Sequence, residues 1–245
     1  MAADIYNMEI RPSDVWVVTY ARSGTTWTQE LVWMVANDLD YKTSKAIVLP
    51  ERFPFLEIPN KLDKTSAPSP RFIKSHLPIT LLPPKLLDAK VVYVARDPRD
   101  AAVSFWHMGS SLRTISFDGD FKTYWNLFIK DLLYWTPFFE HLKEAWEQRN
   151  NPNLLFIFYE ELQKVIKLHR VADFLGKTYS EEQIDDLCDH LNFKNFKTNP
   201  AVNSDLLRDI GLVHDKHEFI RKEMTAQADK WMEENLRDTD LRFPQ

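Results

Sequence analysis

The sequence feature that most constrains the fold is a strand–turn–helix unit between residues 14 and 38. Residues 15–19 form a continuous apolar run rich in β-branched side chains, which is typical of a parallel strand buried on both faces. After a tight turn, apolar residues recur at the spacing of one helix face: Trp27, Leu31, Met34 and Val35. The unit therefore predicts a P-loop-like connection within an α/β fold.

The turn of this unit has the composition of an anion-binding site. Gly24 is one of only five glycines in the chain, and glycine lets the backbone approach a ligand closely. Thr25 and Thr26 offer hydroxyl groups, and the free N–H groups of the helix's first turn carry the positive end of its macrodipole. Arg22 adds a full charge, so we predict a site for a phosphate-type group. The alternative is an ordinary turn of small residues, and the Walker Lys-Ser/Thr pair is absent.

Composition narrows the class of protein further. With 44% hydrophobic residues the chain can bury a substantial core, yet no window approaches the roughly 18 apolar residues of a membrane span. The net charge of −5 argues against a surface that coats nucleic acid. The single cysteine, Cys188, fits a reducing compartment, and the first 11 residues are too polar for a signal peptide. We expect a soluble, cytoplasmic protein with neither a membrane nor a nucleic-acid partner.

Strand and helix patterns alternate along the rest of the chain. Apolar runs predict further strands at 71–76, 90–95 and 154–159. Periodic stretches predict helices at 98–107, at 121–148 with a break near Pro137, and at 165–175, 181–191 and 225–237. No repeat or linker interrupts this alternation. We therefore predict that residues 1–245 form a single α/β domain, with a central, mostly parallel sheet flanked by helices.

Polar residues follow three of the predicted strands. Lys74 and His76 end the second strand, Arg96 follows the third, and Ser104 lies eight residues further on, about two helical turns into the next helix. Since ligands of parallel α/β sheets bind beyond the carboxyl ends of the strands, we expect these groups to converge on Gly24. A histidine can accept a proton from a hydroxyl at neutral pH. Taken singly, a structural histidine and a surface salt bridge are the alternative interpretations of His76 and Arg96.

In this order, these segments resemble the motifs of the cytosolic sulfotransferases. Residues 19–27 (TYARSGTTW) resemble the family's 5′-phosphosulfate loop, in a form closest to insect members, and residues 74–78 (KSHLP) resemble its catalytic strand. Residues 96–104 are similar to its 3′-phosphate motif. Later segments resemble its adenosine-binding residues and its late phosphate clamp: 156–160, 193–200 and 219–222. The resemblance extends from about residue 12 to residue 243.

The resemblance implies transfer of a sulfuryl group from 3′-phosphoadenosine 5′-phosphosulfate (PAPS) to a hydroxyl or amine of a small hydrophobic acceptor such as a phenol, steroid or alcohol. The other product is 3′-phosphoadenosine 5′-phosphate (PAP). The implied catalytic residues are His76 as general base, Lys74 to neutralise the transferring group and Arg22 to stabilise the leaving phosphate. The implied donor-binding residues are Arg22, Ser23, Gly24, Thr25, Thr26, Trp27, Arg96, Ser104, Tyr159, Phe193, Arg221 and Lys222. The implied acceptor-binding residues are Phe55, Trp106, Met108 and His76. No metal ligand set is recognisable, and this mechanism needs none.

The chain also departs from the family pattern. Arg22 stands where the family usually has lysine, and a guanidinium has no proton to give at neutral pH. Leu191 replaces a hydroxyl residue that often holds adenosine, and the stretches near Asn60, near Lys164 and after Lys222 look short. The short C-terminal dimer motif is not recognisable, so a homodimer stays an open expectation. Whether the reaction ends at the sulfate ester or proceeds to dehydration also stays open.

Two other classes of function remain as alternatives. A P-loop nucleotide kinase would need a Lys-Ser/Thr pair after Gly24, which is missing, and would depend on Mg²⁺. A non-catalytic nucleotide-binding module would bind PAPS without transferring anything, and the substitution His76→Ala would then have no chemical consequence.

Overall fold

The computed structural model describes residues 2–58, 68–111, 117–162, 165–202 and 225–244. Within these ranges a four-stranded parallel sheet has the order β2-β1-β3-β4. Its strands are β1 (Val15–Thr19), β2 (Phe72–Ser75), β3 (Lys90–Ala95) and β4 (Leu154–Phe158). Because every pairing is parallel, all four carboxyl ends lie at the same edge. The predicted fold class, a central parallel sheet flanked by helices, is confirmed.

Helices cover both faces of this sheet. In chain order they are α1 (Ala2–Tyr6), α2 (Thr25–Ala36), α3 (Tyr41–Ala46), α4 (Leu49–Arg52), α5 (Pro98–Ser111), α6 (Phe121–Phe128), α7 (Phe138–Glu147), α8 (Val165–Phe174), α9 (Glu181–Leu191), α10 (Phe193–Thr198) and α11 (Thr225–Leu236). Short 3₁₀ turns occupy Ile79–Leu81, Leu86–Asp88 and Tyr159–Glu161. Among the helices described, none is both long enough and apolar enough to cross a membrane.

Alternating residues of the strands pack into two cores, one on each face of the sheet. Trp16 and Val18 join the core formed with α5, α6, α7 and α11. Val15 and Val17 join the core formed with α2, α8 and α9. Every residue of β1 is buried, and burying one such apolar side chain contributes about 1.5–3 kcal/mol. Strong packing on both faces therefore fixes the sheet edge on which the candidate site lies.

The predicted helical region at 121–148 breaks near Pro137 as expected, but the break is longer than predicted. α6 ends at Phe128 and α7 begins at Phe138, so residues 129–137 form an irregular connection. Asp131 and Trp135 in this connection have positive φ values of 58° and 63°, which a continuing helix does not allow. Short helices α1, α3 and α10 were not predicted. The other predicted helices and strands are confirmed to within a few residues at their ends.

Candidate active site

The carboxyl edge of the sheet brings together the cationic residues predicted from the sequence. The β1–α2 turn carries Arg22, the end of β2 carries Lys74, and Arg96 follows β3. One guanidinium nitrogen of Arg96 donates to the carbonyl oxygen of Arg22 at 2.8 Å. Arg22 also lies close enough to Lys74 to lower the pKa of its ammonium group. This edge therefore concentrates positive charge on a protein whose net charge is −5.

The β1–α2 turn is shaped for close approach by a ligand. Arg22 and Gly24 have left-handed backbone conformations, with φ values of 69° and 84°. Gly24 precedes the first turn of α2, so the free N–H groups of the helix open beside it. A β-carbon at Gly24 would lie 2.8 Å from Cε2 of Tyr159, so only glycine fits. The hydroxyl oxygen of Ser23 is buried, with no hydrogen-bond partner among the described residues.

The side chain of Arg22 reaches across to α5. Its Nε donates to Oγ of Ser104 at 3.0 Å, and its NH1 group lies 3.8 Å from Sδ of Met108. Helical spacing allows Ser104 to share a face with Arg96, and this hydrogen bond joins Ser104 to Arg22. Ser104 and Met108 are thus brought to the site through Arg22.

The guanidinium of Arg96 lies over an aromatic ring. Its guanidinium carbon lies 4.2 Å from the ring centroid of Tyr159, the residue that follows β4. Its Nε atom is buried, and no described residue accepts its proton. Such a stacked guanidinium, with a donor still free, is suited to bind a phosphate group.

His76 is oriented by the end of β1. Its Nδ1 lies 3.0 Å from the carbonyl oxygen of Thr19 and 3.2 Å from the hydroxyl oxygen of the same residue. That hydroxyl also bonds to Oγ1 of Thr25 at 2.7 Å, which connects the histidine to the first residue of α2. Burial, followed by repulsion from Lys74, lowers the pKa of His76 well below its usual value. The ring is therefore neutral at pH 7.

The main chain of His76 is held from both sides. His141 on α7 approaches the carbonyl oxygen of His76 through Nε2 at 3.1 Å, and its Nδ1 lies 2.7 Å from the hydroxyl of Tyr93. A carbonyl can only accept, so Nε2 of His141 carries the proton and Tyr93 donates to Nδ1. Burial lowers the pKa of His141 to about 4. On the other side, the carboxylate of Glu57 accepts from the main-chain N–H of His76 at 2.6 Å.

Lys74 is the site's partly buried ammonium group. Its Nζ lies 4.4 Å from the ring centroid of Phe55, which pairs with Lys74 as an isolated parallel bridge. Burial lowers the pKa of Lys74 to about 8, attraction to Glu57 opposes that change, and Arg22 lowers it further. Lys74 is therefore a cation at pH 7 that can lose its proton in mildly alkaline solution.

Aromatic rings line the approach to His76. The ring centroid of Phe55 lies 5.1 Å from that of His76, and the ring centroid of Trp135 lies 5.3 Å away on another side. Trp106, predicted for the acceptor pocket, instead packs against Phe121 and donates from Nε1 to the carbonyl of Gly119 at 3.1 Å. Trp135 was missed. The only signal for it was its position in an aromatic pair within the interrupted 121–148 region.

The predicted adenosine-binding residues are only partly described. Nε1 of Trp27 donates to the carbonyl oxygen of Leu191 at 2.9 Å, which joins α2 to the end of α9. Phe193 is the first residue of α10. Arg221, Lys222 and the short stretches near Asn60 and Lys164 lie outside the described residues. Within the described part of the chain, no group of three histidine, cysteine or acidic side chains is arranged to hold a metal ion.

The fold and this edge define a class of protein, the α/β proteins that bind a phosphate-type anion at a strand–turn–helix connection. Within that class, residues 12–240 match the sulfotransferase domain family. The chain belongs to the sulfotransferase family.

Several known proteins are similar to this chain. The luciferin sulfotransferase of Photinus pyralis is 35% identical over 228 residues, which cover 82% of this chain and 61% of that protein. Sulfotransferase 4A1 of Mus musculus is 40% identical over 193 residues, covering 76% and 68% respectively. The chain thus spans less than two thirds of the luciferin sulfotransferase. A crystal structure of retinol dehydratase with retinol and PAP is 44% identical, with a TM-score of 0.90, over 99% of this chain and 86% of that one.

Proposed function

We propose that this chain transfers the sulfuryl group of PAPS to a hydroxyl, or an amine, of a small hydrophobic acceptor. The observation that carries the proposal is the position of His76. Its ring is neutral, its Nδ1 is hydrogen-bonded to Thr19, and it lies on the same sheet edge as the anion-binding turn. A base beside an anion site is the arrangement that group transfer to a hydroxyl requires.

The residues present fit the sulfuryl donor. The N–H groups at the start of α2, the hydroxyls of Ser23 and Thr25, and Arg22 would hold the 5′-phosphosulfate, which supplies the sulfuryl group. Arg96 would bind the 3′-phosphate with help from Ser104. Arg221 and Lys222 would bind the same phosphate. Oγ of Ser23 and Nε of Arg96 have no hydrogen-bond partner within the described part of the chain, which supports this assignment, because buried polar atoms normally have partners. Trp27, Tyr159 and Phe193 would contact the adenine.

The chain's own residues then account for the proton and charge changes of the transfer. Because Nδ1 of His76 donates to Thr19, Nε2 presents a lone pair that accepts the acceptor's hydroxyl proton. Lys74 is a cation at pH 7 and stabilises negative charge on the transferring group. Arg22 stabilises the leaving phosphate by charge alone, because its guanidinium keeps its protons. The aromatic side chains of Phe55 and Trp135, which pack edge-on around His76, exclude water from the reacting atoms.

A flat or elongated apolar alcohol fits the lining of this approach best. Phe55 and Trp135 flank the imidazole, and the thioether of Met108 lies beside Arg22. Related proteins have been crystallised with retinol or with androsterone, both of which carry an alcohol on an apolar skeleton. An activated sulfate ester of such an alcohol can either be released or lose sulfate to give a dehydrated product.

Radiolabelled PAPS offered with a panel of phenols, sterols and polyene alcohols tests this proposal. With the label in the sulfuryl group, we expect it to leave PAPS only when an acceptor is present, either in an organic sulfate ester or, where that ester loses sulfate, as inorganic sulfate. Rates should be unchanged in EDTA, and no phosphate should be transferred from ATP. Mass analysis of the product distinguishes a sulfate ester from a dehydrated hydrocarbon. Lys74→Met is expected to abolish transfer, whereas Lys122→Met, an exposed lysine on α6, is expected to leave it unchanged. Binding of PAPS without transfer to any acceptor would favour a non-catalytic module, and Mg²⁺-dependent phosphate transfer would favour a kinase.

A further inference from the structure

Glu57 is a partly buried acid that the proposed chemistry does not yet use. Its Oε1 accepts from the main-chain N–H of His76 at 2.6 Å and from the hydroxyl of Ser75 at 3.2 Å. The hydroxyl oxygen of Ser75 in turn accepts from the N–H of Leu77 at 3.0 Å. Oε2 of Glu57 is buried and has no hydrogen-bond partner among the described residues. The carboxylate therefore holds the short stretch of main chain from which the imidazole projects.

Strand pairing fixes Glu57 in this place. The N–H of Lys74 donates to the carbonyl of Pro54 at 3.0 Å, and the N–H of Leu56 donates to the carbonyl of Lys74 at 2.9 Å. Residues 54–56 thus extend the sheet beside the end of β2. The next residue, Glu57, follows a paired backbone and turns its carboxylate toward His76.

The charge of Glu57 acts on Lys74. Attraction to Glu57 raises the pKa of Lys74, while burial and Arg22 lower it to about 8. Burial raises the pKa of Glu57 to about 7, although hydrogen bonds from His76 and Ser75 and attraction to Lys74 oppose the change. Among the described residues, the titratable groups that face this pair are Arg22 from the β1–α2 turn and His76 at the end of β2. Carboxylate and ammonium are both charged mainly between pH values of about 7 and about 8.

We propose that Glu57 is a positioning residue for the transfer reaction: its carboxylate fixes the main chain that carries His76, and its negative charge keeps Lys74 a cation. The inference rests on the proposed sulfuryl transfer. Glu57 acts through these two neighbours, since its carboxylate is engaged with the backbone and with Ser75.

The pH dependence of kcat separates this role from a purely structural one. Glu57→Gln keeps a carbonyl oxygen to accept from His76 and removes the charge, whereas Glu57→Ala removes both. We expect Glu57→Gln to lower kcat about tenfold, to abolish the acid limb near pH 7 and to move the alkaline limb lower by about half a unit or more. Glu57→Ala should lower kcat further, to about a hundredth. PAP affinity should stay within about twofold in the Gln variant, since no donor contact is removed.

The matched control is Glu51→Gln, which neutralises an exposed carboxylate on α4 and is expected to leave kcat and the pH profile unchanged. A Glu57→Gln enzyme with the wild-type kcat and both wild-type pH limbs would overturn the inference.

A measurement that needs no turnover distinguishes failure of this inference from failure of the proposed function. In protein labelled with ¹⁵N and ¹³C at lysine, the Lys74 signal is assigned by its loss in Lys74→Arg and titrated in wild type and in Glu57→Gln. We expect the pKa of Lys74 to fall in the Gln variant, because the stabilising negative charge is gone. An unchanged Lys74 titration would overturn the inference even if sulfuryl transfer is observed. If Glu57→Gln shifts the Lys74 titration but the wild-type protein transfers no sulfuryl group, only the proposed function is refuted.

Discussion

Nδ1 of His76 lies 3.0 Å from the carbonyl oxygen of Thr19, so the last residue of β1 sets the tautomer of the histidine that follows β2. A backbone carbonyl can only accept, which places the proton on Nδ1 and the lone pair on Nε2. The two strands are paired in register, with Val18 opposite Ser75. Regular strand pairing therefore orients the imidazole that we propose as the general base, without any additional loop.

This geometry predicts a histidine that does not titrate near neutrality. Burial and the charge of Lys74 lower the pKa of His76 well below its usual value of about 6.5. In a ¹⁵N NMR titration from pH 6 to pH 8, we expect His76 to remain neutral with its proton on Nδ1. A His76 signal that protonates around pH 6.5, or that shows the Nε2–H tautomer, would contradict the assigned role.

A second prediction concerns Gly24 and separates backbone strain from ligand approach. Gly24→Ala forces a β-carbon into a left-handed residue and against the ring of Tyr159. Gly176→Ala is the matched control, because Gly176 has φ of 70° but open space around its Cα. Each substitution should cost about 1–2 kcal/mol of stability for the left-handed backbone. Only Gly24→Ala should also weaken PAP binding, by about tenfold or more, as measured by calorimetry. Equal PAP affinities in the two variants would argue against a donor site at this turn.

A third prediction assigns the phosphate that Arg96 binds. Arg96→Met removes a guanidinium that stacks on Tyr159, and it should reduce PAP affinity about 10- to 100-fold, as expected for a charged hydrogen bond. Adenosine 5′-phosphosulfate lacks the 3′-phosphate, so its weaker binding should hardly change. Arg99→Met alters an exposed arginine already paired with Asp97 and is the control. Equal losses for both nucleotides would place Arg96 elsewhere than at the 3′-phosphate.

The fourth prediction concerns the hydrogen bond from His141 to the main chain of His76. His141→Phe leaves that carbonyl oxygen without its donor, while the hydroxyl of Tyr93 can still donate to the main-chain carbonyl of residue 141, which lies 3.0 Å from it in the wild-type structure. Loss of one buried partner should cost about 1–3 kcal/mol of stability and should lower kcat more than it changes PAP affinity. Tyr93→Phe should have a smaller effect, and the double variant should be less than additive. Additive effects, or an unchanged kcat, would show that the hydrogen bonds from Tyr93 to His141 and from His141 to the main chain of His76 do not hold the base in place.

Residues that follow directly from strand ends could be predicted from the sequence, and residues brought in by distant packing could not. Lys74 and Arg96 were placed at one edge because an apolar run predicts a parallel strand and parallel strands end together. Glu57 and His141 gave no local signal, since their hydrogen bonds to His76 span 19 and 65 residues. Their roles exist only once the chain has folded.

The irregular connection within 121–148 and the contact of Ser104 also have physical causes that the sequence did not indicate. Residues 121–148 carry a nearly continuous aromatic pattern, yet Trp135 leaves the helical conformation to pack on Phe105 and on the imidazole of His76. Tertiary contacts therefore override local helix preference there. Helical spacing allowed Ser104 to share a face with Arg96. It could not indicate that the long side chain of Arg22 donates a hydrogen bond to Ser104.

We propose that the β1–α2 turn binds the donor and that His76, after the neighbouring strand, accepts the proton, so that each function can be lost without the other. Measuring kcat and PAP affinity in parallel for wild type and His76→Ala tests it most directly. The account predicts that kcat falls by about a hundredfold or more, whereas the dissociation constant of PAP changes by no more than about threefold. A variant that turns over like wild type, or one whose PAP affinity collapses together with its kcat, would contradict it.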